Sequence, residues 1–100
     1  MGRTLRHVVM FRWKAGTSEE TTSAIVAALG ELPGMIPELR SYHFGADAGV
    51  REGNYDFAVV AEFDSVDDYL AYSDHPRHRQ IVEELVAPHV DARASVQFAD

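Results

Sequence analysis

The chain contains no cysteine. That absence removes disulfides, thiol nucleophiles and thiolate metal sites together, and it permits an intracellular setting. Basic residues are scarce as well: nine Lys and Arg stand against sixteen Asp and Glu, a net charge of -7. Such a surface repels phosphate backbones, so nucleic acid is not an expected partner. No apolar run approaches the ~20 residues of a membrane helix. The opening Met1-Gly2-Arg3-Thr4-Leu5-Arg6 lacks the apolar stretch of a secretory leader, and position 6 lacks the Ser or Thr of a myristoylation signal. These absences lead to the expectation of a cytoplasmic protein without membrane attachment. No glycine-rich phosphate loop occurs, and no nucleophile elbow surrounds any serine.

What remains is an ordinary globular composition, 46% apolar and 25% charged over 100 residues. A chain of that length forms one domain, here residues 1-100, and buries roughly two-thirds of its unfolded surface, enough for a single core and a small pocket. Leu5 to Trp13 is rich in branched and aromatic residues and reads as a strand. After Gly16, Thr17-Ser18-Glu19-Glu20 has the spacing of a capping box with Thr17 as N-cap, and Ile25, Ala28, Leu29 and Leu32 follow at helical spacing until Pro33-Gly34. Leu39 to Gly45 predicts a second strand, Ala46 to Asn54 a loop, and Asp56 to Phe63 a third strand. Ser65 is placed to cap a short helix carrying Val66, Tyr69 and Leu70 on one side. Pro76 fits the first turn of another helix, which runs to about Val86, and Ala92 to Ala99 is the last strand.

This order predicts an α+β fold, the ferredoxin-like split βαβ arrangement, with a four-stranded antiparallel sheet covered by helices on one face. A sheet so covered should be polar on its other face, yet in the first strand His7, Val9, Phe11 and Trp13 alternate with Val8 and Met10, and in the third Phe57, Val59, Ala61 and Phe63 alternate with Ala58 and Val60. Two apolar faces and helices for only one predict a homodimer joined through the uncovered face.

Groups that exchange protons concentrate between Asp64 and His78. His78 precedes Ile81, Val82 and Leu85 by three, four and seven positions, so it joins the stripe that packs on the sheet. His7 approaches the same space from the first strand, either as a satisfied core histidine or as part of a polar spot in an apolar pocket. Tyr72 faces that space across the helix restart. His75, just before Pro76, reads as a cap. A metal centre is not expected, because one i, i+3 histidine pair without further ligands is a weak donor set. His43 and His89 read as surface or rim residues. Glu62 reads either as a carboxylate buried at a subunit interface or as an exposed strand-end residue. The chemistry left open is acid-base work by histidine, whose ordinary pKa of about 6.5 suits neutral pH, with help from a tyrosine hydroxyl.

Leu5-Arg6-His7-Val8-Val9-Met10-Phe11-Arg12-Trp13-Lys14, the Leu32 to Pro37 turn, Glu62-Phe63, and Tyr72 with His75-Pro76-Arg77-His78 together resemble the stress-responsive A/B barrel (Dabb) domain, end to end. The resemblance implies a ferredoxin-like protomer that pairs into a dimeric α/β barrel, and no cofactor is expected for the aldol chemistry of its cyclase member. The family includes stress proteins without assigned activity and a plant polyketide cyclase that closes a linear polyketide by aldol condensation. By position, Tyr72 and His78 match that cyclase's catalytic pair and His7 its first-strand histidine, while a further pocket histidine falls at Phe57. The expected site therefore comprises His78 as base, Tyr72 as its partner, and His7, Phe57, Val9, Phe11, Val59 and Ile81 as contacts for a small molecule. A non-catalytic stress-response or ligand-binding dimer is the alternative. A haem- or quinone-handling monooxygenase of the related barrel class ranks behind both.

Overall fold

Leu5–Trp13 forms β1 in a computed structural model that describes residues 4–100; the reading of Met1, Gly2 and Arg3 lies outside the described residues. Helix α1 (Glu19–Glu31) follows, then β2 (Ser41–Ala46), β3 (Phe57–Phe63), α2 (Val66–Asp74), α3 (Pro76–Ile81) and β4 (Val90–Ala99). The strands lie in the order β2-β3-β1-β4, and every neighbouring pair is antiparallel. This is the ferredoxin-like sheet, with the helices on one face. No helix among the described residues is long and apolar enough to cross a membrane.

Helix ends follow local chemistry. Ser65 Oγ accepts the Asp68 N–H at 3.0 Å and opens α2 as expected. The cap of α1, however, is Ser18, which accepts the Thr21 N–H at 3.1 Å. Thr17 is drawn instead into the turn after Gly16, whose φ of +85° only glycine adopts cheaply, and its hydroxyl donates to the Lys14 carbonyl at 2.7 Å. Of the three residues expected on one side of α2, Val66, Tyr69 and Leu70, only Tyr69 packs on the sheet. Val66 and Leu70 are exposed, because Tyr69 and Tyr72 turn to the sheet and pack their rings on Phe63 and His7. Beyond Ile81 the chain widens into a π-helical turn, Val82–Val86, so the predicted continuous helix to Val86 ends in a looser coil.

The register defines what each sheet face carries. On the helix side the rows run Tyr42-Ala61-His7-Gln97, Phe44-Val59-Val9-Ser95 and Ala46-Phe57-Phe11-Arg93. Val9, Val59, Ala61, Phe63, Ile25, Leu29, Leu32, Ile36 and Ile81 close around the middle of this face as one core. Burying each such aliphatic side chain contributes roughly 1.5–3 kcal/mol. On the other face the rows run Ser41-Glu62-Arg6-Phe98, His43-Val60-Val8-Val96 and Gly45-Ala58-Met10-Ala94. Met10, Val96 and Phe98 are exposed there. Glu62 lies on this outer face, half-buried, and accepts the Ser41 hydroxyl at 3.0 Å.

Candidate functional site

Helix α2 ends where Pro76, which has no N–H, cannot continue the ladder. In an unbroken helix the Arg77 N–H would bond the Ser73 carbonyl, four residues back. Here it bonds the His75 ring at Nδ1, 3.1 Å away, so His75 is the cap expected of it. The Ser73 carbonyl is thereby released, and His78 Nδ1 sits 3.1 Å from it. A carbonyl only accepts, so Nδ1 carries the proton and Nε2 keeps its lone pair. Burial holds the His78 imidazole below its ordinary pKa; the Ser73 bond opposes this, and His75 adds to it. The ring is neutral at pH 7. Arg77 also anchors α3 to α1 through Glu31 at 2.8 Å.

His7 arrives from β1 with the opposite proton arrangement. It is 4% exposed, and the Gln97 amide nitrogen lies 2.8 Å from its Nδ1. With that amide donating, the imidazole proton resides on Nε2. Burial first, then the Arg93 charge and His78, lower its pKa to about 4, so this ring too is neutral. Tyr69 packs on it with ring centroids 5.0 Å apart.

Tyr72 is buried, and its ring centroid is 4.2 Å from that of His78. Its hydroxyl lies 3.0 Å from the Tyr42 hydroxyl, while its ring meets the His78 ring at a tilt of 46°. Burial raises the pKa of both phenols, which therefore stay protonated. One of the two protons is spent in their mutual bond and the other is free for a ligand.

These groups meet at a cavity of about 510 Å³ between sheet and helices. His7, Val9, Phe11, Val59, Tyr72 and His78 all line it, with Tyr42, Tyr69, Leu29 and Val82 completing much of the wall and Arg79, Glu83 and Arg93 adding charge. Two expected contacts do not. Ile81 is fully buried in the core below the wall, and Phe57 is turned toward the end of the sheet, its ring 5.7 Å from Trp13 and 6.5 Å from Phe44. Phe57 borders a separate depression with Met10 and Tyr55, so it does not set the polarity of the histidine cavity. Tyr42, Arg93 and Gln97 were missed from the sequence. Strand parity opposite His7 and Phe11 is the signal that finds them. Among the described residues no three His, Asp or Glu side chains gather as a metal site.

The family model of the Stress responsive A/B Barrel Domain matches residues 5–100. The chain belongs to the Dabb family. A dimeric ferredoxin-like protein from Thermobifida fusca shares 45% identity with this Dabb protein, covering 100% of this chain and 93% of that one with a TM-score of 0.92. An uncharacterized protein of Streptomyces coelicolor is 32% identical over 77 residues, 75% of this chain and 79% of its own length. A hydroxynitrile lyase from Passiflora edulis superposes with a TM-score of 0.86 over 100% of this chain and 95% of that one; at 24% identity the likeness is one of fold.

Proposed function

We propose that this Dabb protein is a cytoplasmic homodimer in which each protomer holds a small carbonyl compound in the helix-side cavity and moves a proton on it without a cofactor. The observation that carries this reading is the Ser73–His78 bond, which leaves a bare Nε2 on a neutral imidazole in an apolar cavity. In that role His78 Nε2 removes a proton from the carbon beside a carbonyl. The developing enolate oxygen is met by the Nε2–H of His7 or the free phenol proton of the Tyr42–Tyr72 pair. The enolate carbon then attacks a second carbonyl of the same molecule, and the new alkoxide takes the proton back from His78, which closes the ring with atoms and charge balanced. A protein of the same fold is a hydroxynitrile lyase, so cyanohydrins are included in the trial.

Assembly is supported by the apolar outer rows and by the dimeric relative at 45% identity. The test presents poly-β-keto acids, their thioesters and cyanohydrins to the purified protein and follows products by mass spectrometry. A positioned general base is worth about 100- to 10,000-fold, so His78→Ala should lose that factor while remaining folded. Tight binding without turnover above the His78→Ala background replaces the enzyme with a ligand-binding dimer, and a Soret band on the purified protein turns attention to haem chemistry.

A further inference from the structure

Arg93 belongs to the same cavity and has no part in the proton transfer just described. It stands on β4 opposite Phe11, on the helix side of the sheet, and lines the cavity wall. Its hydrogen-bond partner is the Ser95 hydroxyl, 3.2 Å from Nη1. Among the described residues no carboxylate forms an ion pair with it. The other charges on the wall, Arg79 and Glu83, lie 3.8 Å apart and offset each other. The cavity of a chain with net charge -7 thus carries one surplus positive charge. That charge is near enough to His7 to disfavour its protonation.

We infer that the cavity selects ligands bearing a carboxylate, received by the Arg93 guanidinium, with the ligand's apolar body against Val9, Phe11 and Val59. The inference rests on the cavity being a ligand site, and it names the chemical class that site prefers. A guanidinium presents paired N–H donors that match the two carboxylate oxygens. The Arg93 guanidinium leans along β4 to Ser95, the residue opposite Val9, so its charge stands nearer to His7 than the Phe11 row from which the side chain springs. A ligand that reaches both therefore needs only a short apolar body, lying over Val9, between its acid and its carbonyl or hydroxyl end.

The probes are 4-butylbenzoate and 4-butylbenzamide, equal in shape and different in charge, titrated calorimetrically at pH 7. Wild-type protein should bind the acid about tenfold more tightly, the effect of one well-placed charge-assisted contact of about 1.4 kcal/mol. Arg93→Gln should abolish that preference by weakening the acid alone, and Arg93→Lys, a point charge without the fork, should restore part of it. Because Arg93 is exposed and, among the described residues, bonded only to Ser95, the variants should melt with the wild type. His78→Ala should keep the full preference, so loss of turnover and loss of acid selectivity are separate results. Equal affinities in the wild type, a preference that survives Arg93→Gln, or no binding of either probe at millimolar concentration each overturn the inference.

Discussion

The two faces of the sheet obey one alternation rule and reach opposite solutions. On the helix side β4 contributes Arg93, Ser95 and Gln97, while its apolar residues, Ala94, Val96 and Phe98, point away from the helices. On β1 and β3 both faces are apolar. The helix side therefore sets polar groups along the exposed β4 edge of a buried layer and ties two polar pairs into it, Gln97 with His7 and Tyr42 with Tyr72. The outer face concentrates apolar side chains that no helix among the described residues covers, with Phe98 45% and Val96 54% exposed. A core is thus not simply where the apolar residues are. One face is built around satisfied polar groups, and the other carries the apolar rows proposed to meet a partner.

Charge on the outer face should separate these roles most sharply. Met10→Asp puts a carboxylate into the proposed interface from each protomer, and an uncompensated buried charge costs on the order of 3–5 kcal/mol. Sedimentation should show a monomer at micromolar concentration, with the circular dichroism of the fold retained. A wild-type chain that already sediments as a monomer would remove the dimer.

The inner face should respond to pH instead. The folded-state pKa of His7 lies near 4, below the ordinary 6.5 of an unfolded chain, so the unfolded state takes up the proton first. Its contribution is complete above pH 6.5, falls as pH drops toward about 4, and changes no further below that, a total on the order of 3 kcal/mol. His78, also lowered, adds loss in the same direction. His7→Asn keeps an acceptor near the Nδ1 position for Gln97 and cannot titrate. Urea unfolding at pH 7 and pH 5 should show a smaller acid loss for this variant than for the wild type; parallel losses would mean that His7 takes up its proton as readily in the folded protein as in the unfolded chain.

The smallest effect is expected at Tyr42→Phe, which removes the hydroxyl partner of Tyr72 and leaves both rings packed. Such a bond contributes about 0.5–1.5 kcal/mol, read as a shift in the urea midpoint, with the dimer intact. No shift would mean that water replaces the lost hydroxyl.

Sequence pattern reaches the inner and outer faces of β1 and β3, the Ser65 cap and the helix restart at Pro76, because each follows from a local rule: period-two alternation, an oxygen before a helix, a ring without an N–H. It fails where a residue has two local uses. Thr17 and Ser18 both suit a cap, and the turn after Gly16 claims Thr17. On α2 the apolar Val66 and Leu70 compete with Tyr69 and Tyr72 for the inward side, and the aromatic contacts available on Phe63 and His7 decide it. Half of the candidate site follows from the first strand and the histidine motif. The rest, Tyr42, Gln97 and Arg93, lies on edge strands whose polar residues look like solvent-facing ones until the register pairs them with β1 and β3.

The His75-Pro76-Arg77-His78 run divides one task among its members. Proline interrupts, the first histidine absorbs the stranded amide, and the last inherits the carbonyl that the interruption set free. The tautomer of His78 is thus written in the main chain. A backbone that continued straight through position 76 would reclaim the Ser73 oxygen, leaving the same imidazole in the same cavity with nothing to choose which nitrogen is the base.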